Sequence, residues 1–297
     1  MPIIEIPIEL IDSFHRSPER ALRNFASITT AAIQPFFRRK DKVISAIDTG
    51  RRNPFDERTL AFDPHWTCKD QFRRYIHVDL AITQDRIGMA MGHCPKFVST
   101  ASGERRPFIF IDFMASIPTS PAMDVLPKDI RQIIHTELPR RGFYIALVTF
   151  DRFQSVDSIT LLREQGFVAA PFSVDRTTTK IVLDSGTQLG FRTESTAGEY
   201  TAAQEALRQA MYEDRLSVPQ HPMWELECFG AEELIQKKKV DHVPGGSLDM
   251  EQCVAAVAYH IVNNEREYIE TEEEIKEYED HLEDDFYAYE EEIYSGF

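Results

Sequence analysis

Residues 73–93, RRYIHVDLAITQDRIGMAMGH, limit the possible fold of this 297-residue chain more than any other segment. From Ile76 to Ile82 apolar side chains alternate with polar or small ones, which is typical of a half-buried strand. TQDR then predicts a turn, and IGMAMGH predicts a returning strand. Asp79 stands inside the first strand, although aspartate is a poor strand former and a buried carboxylate is costly unless it is paired or binds a metal. Asp79 therefore either lies on a solvated face or beside an arginine, or binds a metal.

The segments after this hairpin predict a mixed sheet. RRPFIFIDFMASI indicates a third strand, PKDIRQIIHTELPRRG a helix, FYIALVTFD a buried strand and SVDSITLLREQG a helix. VAAPFSV indicates another strand and GEYTAAQEALRQAMYEDR an amphipathic helix. Short strands are expected in residues 216–247, before a last helix in LDMEQCVAAVAYHIVNN. This order predicts an α/β fold: a mixed sheet of five or more strands, the first three antiparallel, with helices on both faces.

Composition and charge exclude several classes of protein. No apolar run approaches the ~20 residues that span a bilayer, and the N-terminal residues lack the basic segment of a secretory signal. The four cysteines have no zinc-site spacing, and we expect them to be reduced core residues. Residues 265–297 contain 15 acidic and two basic residues, a net charge of −13, which leaves −3 of the total of −16 for the rest of the chain. We expect this acidic tail to be partly disordered.

Two further aspartates occupy positions typical of a site. Asp151 ends the strand FYIALVTFD, and the carboxyl end of a strand is where α/β sheets form sites. Asp249 begins the last helix. Each has an ordinary alternative, since Asp151 can cap a turn and Asp249 can offset the helix dipole. If the first and fourth strands are neighbours, Asp79, Asp151 and Asp249 converge. Oxygen ligands without a His or Cys cluster favour Mg²⁺ or Mn²⁺, and two such ions can catalyse phosphodiester hydrolysis.

Four stretches, in this order, resemble the nuclease domain of tailed-phage terminase large subunits: HVDLAITQDRIGMAMGH, ALVTFDRFQSVDSITLLREQGF, PFSVDR and VDHVPGGSLDMEQCVAAVA. The resemblance covers roughly residues 73–263 and implies an RNase H-like (retroviral-integrase-like) fold. The upstream stretch IELIDSFHRSPERALRNFASITTAAIQPFF resembles the segment that joins the packaging ATPase to the nuclease. We therefore expect a connector in residues 1–72, a nuclease domain in 73–264 and the tail in 265–297.

The resemblance also implies roles for individual residues. The metal-binding acids of the family correspond to Asp79, Asp151 and Asp249, and Asp85 and His242 correspond to auxiliary positions. The family's last helix commonly carries a second acid where this chain has Gln252, with Glu251 beside it, so Glu251 is a further auxiliary candidate.

The resemblance implies a Mg²⁺- or Mn²⁺-dependent endonuclease that cuts concatemeric double-stranded viral DNA during genome packaging. The implied partners are DNA, a packaging ATPase subunit or domain, the portal protein and the small terminase subunit, in the host cytoplasm and away from membranes. No phosphate-loop motif is present, so the chain fits the nuclease half of a split terminase, a fragment or an excised piece. Two alternatives stay open: a DNA-binding or docking module whose catalysis depends on the ATPase, and another RNase H-like nuclease such as a resolvase.

Overall fold

The fold is taken from a computed structural model of the chain, which describes residues 11, 34–80, 86–118, 127–151, 155–174, 181–182, 188–189, 202–234 and 239–264. Asp85, with the other residues of the predicted turn that precede Arg86, and the acidic tail lie outside these ranges.

A seven-stranded mixed sheet forms the centre of the molecule. Its strands are β1 (Ile47–Arg52), β4 (Arg73–Asp79), β5 (Arg86–His93), β8 (Ile109–Pro118), β9 (Tyr144–Phe150), β10 (Ala169–Pro171) and β13 (Leu216–Gln220). Short two-stranded ladders join β2 (Phe55–Asp56) to β3 (Ala61–Phe62), β6 (Phe97–Ser99) to β7 (Arg105–Pro107), β11 (Ile181–Val182) to β12 (Gln188–Leu189) and β14 (Ala231–Leu234) to β15 (Lys239–His242).

The order of the seven strands is β1-β13-β8-β5-β4-β9-β10. β5 is antiparallel to both β4 and β8, whereas β9 is parallel to β4, and β10 is parallel to β9. The five strands from β8 to β10 therefore stand in the order third, second, first, fourth and fifth along the chain, which confirms the predicted RNase H-like fold. β1 extends the sheet beyond β13, so residues expected to belong to the connector contribute a strand to it.

Seven α-helical segments are found in the described ranges: α1 (Lys40–Ser45), α2 (Pro127–Gln132), α3 (Leu138–Arg140), α4 (Val156–Glu164), α5 (Ala202–Tyr212), α6 (Pro222–Gly230) and α7 (Asp249–Asn263), with a π-helical turn, Ile133–Glu137, between α2 and α3. The predicted helix ends at Gly142 and Gly166 are confirmed, because both glycines adopt the positive φ that terminates helices readily. The expectation of short strands throughout residues 216–247 is wrong for α6: the Trp224 side chain of this segment packs in the core as part of a helix.

Two hydrophobic cores cover the two faces of the sheet. On one face α5, α6 and α7 pack against residues such as Tyr75 and Leu147, and on the other face α2 to α4 pack against residues such as Ile76 and Val148. Alternate residues of β4 and β9 therefore belong to opposite cores, as the period of a strand requires. Burial of each large apolar side chain contributes roughly 1.5–3 kcal/mol, so the register of these strands is strongly fixed. Within the described residues, no helix is both long and apolar enough to cross a membrane.

Candidate metal centre

Asp79 and Asp151 stand side by side at the carboxyl ends of two adjacent parallel strands. Val78 pairs with Phe150, and the backbone N–H of Asp151 donates a 3.1 Å hydrogen bond to the carbonyl oxygen of Val78. The ladder thus continues one residue past the end of β9, which brings Asp151 level with Asp79. Both aspartates are partly exposed. The first and fourth strands are therefore neighbours, which is the condition stated above for the aspartates to converge.

The two aspartates also belong to the α7 face of the sheet. His77, two residues before Asp79, contacts Thr149, two residues before Asp151, with 2.8 Å between His77 Nδ1 and Thr149 Oγ1. The same hydroxyl lies 3.1 Å from His260 Nε2 on α7. Because side chains two residues apart in a strand share a face, Asp79 and Asp151 project toward the side of the sheet that α7 covers.

Asp249, the first residue of α7, lies against the strand next to Asp79. Gly88 on β5 is the direct cross-strand partner of Asp79. A Cβ atom at Gly88 would lie 2.2 Å from the carbonyl oxygen of Asp249 and 2.9 Å from Cys253 Sγ. Directly opposed residues of an antiparallel pair project to the same side, so Asp79 and the start of α7 meet on one face. Three partly exposed aspartates, from β4, the end of β9 and the start of α7, thus share one end of one face.

The charges of two of these carboxylates affect the pKa of the Cys253 thiol, which lies one helical turn after Asp249. Burial raises the pKa of the Cys253 thiol well above its ordinary value, and the charge of Asp79 and then that of Asp249 and Glu227 raise it further, against a hydrogen bond with the Asp79 backbone. Such a thiol stays protonated at neutral pH and is a poor metal ligand. The carboxylates are left as the available donors.

This donor set fits a hard divalent cation. Carboxylate oxygens are the ligands that Mg²⁺ and Mn²⁺ prefer, and Gly88 provides the space that lets α7 approach the sheet closely. Within the described part of the chain, no group of three or more His, Cys, Asp or Glu side chains is arranged as a complete metal site. What the structure establishes is therefore the shared location of the three aspartates on adjoining backbone segments.

A cleft of about 410 Å³ opens beside Asp249. Its polar lining comes from Arg86 at the start of β5, from Glu227 on α6 and from residues 245–247, which lead into α7. The Arg86 side chain is fixed by hydrogen bonds to the hydroxyl and the carbonyl oxygen of Ser116, the first of them 2.6 Å long. A guanidinium group thus lines a cleft whose other polar side chains are mainly acidic.

Glu227 is a buried carboxylate that the sequence did not single out. Burial raises its pKa to about 7; the Glu251 N–H opposes this shift, and the charge of Asp249 adds to it. The signal that marks Glu227 in retrospect is an acid on the apolar side of the helix PMWELECFG, but the segment was expected to form strands. Arg86, Gly88 and Ser247 were likewise not predicted as site residues.

Of the auxiliary candidates, His242 and Glu251 are described by the structure and Asp85 is not. Asp85 is one of the residues that the structure does not describe. His242 is exposed at the end of β15, with its Nδ1 atom 2.9 Å from the carbonyl oxygen of Val243. Glu251 is fully buried, and its Oε2 atom accepts a 3.0 Å hydrogen bond from Gln204 on α5. This hydrogen bond links the Glu251 carboxylate to the neighbouring helix.

Beneath the aspartates, His77 and His260 are fully buried around Thr149. Burial lowers the pKa of each imidazole to about 3, and the charge of His77 contributes to the shift of His260. Both rings are therefore neutral at physiological pH. Through the Thr149 hydroxyl, the two rings connect β4, β9 and α7. These are the three elements that carry or immediately precede the aspartates.

Comparisons with known proteins give similarity of fold. No family model and no curated protein matches the chain. The large terminase nuclease of thermophilic phage G20c is matched twice. Its magnesium-bound crystal structure is 14% identical to this chain, with a TM-score of 0.47, and the match covers 76% of this chain and 97% of that one. A second crystal structure is also 14% identical, with a TM-score of 0.48, and the match covers 77% of this chain and 98% of that one. The large terminase of bacteriophage HK97 matches with 13% identity and a TM-score of 0.44 over 85% of this chain and 49% of that one. At this level of similarity the fold assignment rests on the strand order of the sheet itself.

Proposed function

We propose that this chain is a metal-dependent endonuclease that hydrolyses phosphodiester bonds of double-stranded DNA during viral genome packaging. The observation that carries the proposal is the meeting of three partly exposed aspartates at one end of one sheet face: Asp79, its neighbour Asp151 and the first residue of α7, Asp249. The sequence resemblance to terminase nuclease domains supports the packaging role.

In this proposal the three carboxylates hold two Mg²⁺ or Mn²⁺ ions. When bound, the ions would supply a Lewis acid and an activated water for attack on phosphorus. The other residues of the chain hold and orient the three metal-binding carboxylates. β4 and the end of β9 hold two carboxylates on a rigid ladder, and Gly88 lets the start of α7 bring in the third. Arg86, which lines the cleft and is fixed by Ser116, would contact a phosphate of the DNA backbone.

DNA is the proposed substrate, although the whole chain carries a net charge of −16. The acidic tail accounts for most of this charge, so the remaining residues are close to neutral and lose little by approaching a polyanion. A packaging ATPase, the portal protein and the small terminase subunit are the proposed protein partners, in the host cytoplasm.

The test is to incubate the purified chain with supercoiled plasmid in Mn²⁺, in Mg²⁺ and in EDTA. The proposal predicts nicked and linear products with either metal and none in EDTA. Cleavage that appears only after a packaging ATPase is added would favour the docking-module alternative. A preference for a four-way junction over linear duplex would favour a resolvase. Cleavage that is equally fast in EDTA would contradict the metal-dependent mechanism.

A further inference from the structure

Glu227 accepts hydrogen bonds from both sides of Asp249. Its Oε1 atom accepts a 3.1 Å bond from the hydroxyl of Ser247, two residues before Asp249. Its Oε2 atom accepts a 2.8 Å bond from the backbone N–H of Glu251, two residues after Asp249. The Glu227 side chain is 1% exposed. One buried carboxylate thus holds the chain on either side of the proposed metal ligand.

The N-terminus of α7 receives no cap from its own flanking residue. The N-cap position is Leu248, whose side chain makes no capping bond, and Asp249 is the first residue of the helix. The Glu251 N–H is at the third helical position and is one of those that an N-cap side chain ordinarily satisfies. Glu227, from α6, supplies that acceptor instead.

The segment that leads into α7 needs such an anchor. Gly245 has a φ of +80°, and Gly246 follows it, so this approach has little intrinsic preference for one conformation. On the side that faces the sheet, the close contact with Gly88 determines the position of the Asp249 backbone. On the side that faces α6, the hydrogen bonds of Glu227 to Ser247 and Glu251 determine the position of the chain. Together these contacts fix the backbone position from which the Asp249 side chain extends.

We infer that Glu227 is a positioning residue that caps α7 from a neighbouring helix and thereby orients Asp249 for metal binding. The inference rests on the proposed function for the role of Asp249. Glu227 acts through the backbone and does not itself bind the ion. Groups that orient a metal ligand in this way contribute about 10- to 100-fold to metal affinity.

The test compares Mn²⁺ binding by full-length variants, followed by the EPR signal of free Mn²⁺, together with amide hydrogen exchange of residues 247–252 without metal. E227A removes both bonds and is expected to weaken Mn²⁺ binding about tenfold and to speed exchange at the start of α7. E227Q keeps a carbonyl acceptor for the Glu251 N–H and is expected to bind Mn²⁺ more tightly than E227A does. E233Q is the control, since Glu233 is also buried but contacts Arg38 and Arg208; it is expected to retain wild-type Mn²⁺ affinity.

E227D covers the case in which E227A does not fold. Aspartate keeps the charge but is one methylene too short to reach both donors, so the inference predicts weaker Mn²⁺ binding by E227D than by E227Q. The opposite order, or equal affinities, would overturn it. So would a folded E227A with wild-type Mn²⁺ affinity.

D249N separates this inference from the proposed function. If D249N loses Mn²⁺ binding and E227A does not, the inference about Glu227 is wrong and the metal site stands. If D249N binds Mn²⁺ as well as wild type, the proposed function is wrong. In that case, exchange at residues 247–252 in E227A still reports whether Glu227 anchors α7.

Discussion

Gly88 and Asp249 are in such close contact that no side chain fits between them. A Cβ atom at Gly88 would lie 2.2 Å from the carbonyl oxygen and 2.6 Å from the carbonyl carbon of Asp249. Because both atoms belong to the backbone, a larger residue can be accommodated only by moving α7 away from β5. Gly88 is also the cross-strand partner of Asp79, so the contact links two of the three proposed ligands.

Gly88→Ala is therefore expected to displace the start of α7 and to lower metal-dependent cleavage strongly. Overpacking of this kind costs about 1–3 kcal/mol of stability, so the variant should still fold. Plasmid cleavage and chemical denaturation measure the two effects. Gly50→Ala is the control, since a Cβ atom there would meet only the side-chain oxygen of Asp48, at 3.3 Å. Wild-type cleavage by folded Gly88→Ala would show that the close approach is not required.

Arg86 is expected to contribute to DNA binding. Removing its guanidinium by Arg86→Ala should weaken binding to duplex of any sequence and reduce the slope of log affinity against log salt concentration by about 1. Arg58→Ala is the matched control, because the Arg58 side chain is 89% exposed and lies next to Asp56. Fluorescence anisotropy over a range of salt concentrations measures both variants. An unchanged salt dependence in Arg86→Ala would contradict a phosphate contact.

Acid should destabilise the fold through His77 and His260. Their folded pKa values of about 3 lie below the ordinary value of 6.5, so the unfolded chain binds protons that the folded chain does not. Stability is lost as the pH falls below about 6.5, at about 1.4 kcal/mol per pH unit for each histidine. Glu227 acts in the opposite direction between pH 7 and 4.5, because its folded pKa is raised to about 7. Summed over these three groups, the unfolded chain therefore binds about one more proton than the folded chain near pH 5.5.

His260→Gln should remove this net uptake, since one of the two buried imidazoles is gone while the amide can still contact Thr149. The free energy of unfolding, measured by urea denaturation at pH values between 7 and 5, should fall with acid in wild type and be nearly flat in the variant. Parallel curves for the two proteins would contradict the assignment of the acid sensitivity to His260.

Most of the fold could be predicted from the sequence because periodicity and helix-ending glycines are local signals. The order of the segments was compatible with neighbouring first and fourth strands, the arrangement that brings Asp79 and Asp151 together. Contacts between distant segments were not predictable in this way. The space at Gly88 depends on the position of α7, and Glu227 was missed because short strands were expected in the segment where α6 forms. β1 was missed because its polar residues, IDTGRR, lack the alternation of a half-buried strand.

Deleting residues 265–297 is expected to tighten DNA binding and to raise cleavage. The deletion removes a net charge of −13. This charge repels DNA, and the repulsion reaches further at low salt because screening is then weak. Anisotropy and cleavage assays at low and high ionic strength compare the full chain with the truncation. The difference should shrink as salt rises. Equal DNA affinity at low salt would show that the tail does not restrain the nuclease.

The most direct test of the central claim is the rate of Mn²⁺-dependent plasmid cleavage by Asp151→Asn. Asp151 is level with Asp79 and on the α7 face, so losing its charge should weaken metal binding and transition-state stabilisation together. A loss of several kcal/mol corresponds to a rate decrease of about 10²- to 10³-fold, with fold and DNA binding nearly intact. Asp157→Asn, an exposed aspartate in the first turn of α4, is the control. The account predicts that only Asp151→Asn loses cleavage; cleavage by Asp151→Asn at the wild-type rate would contradict it.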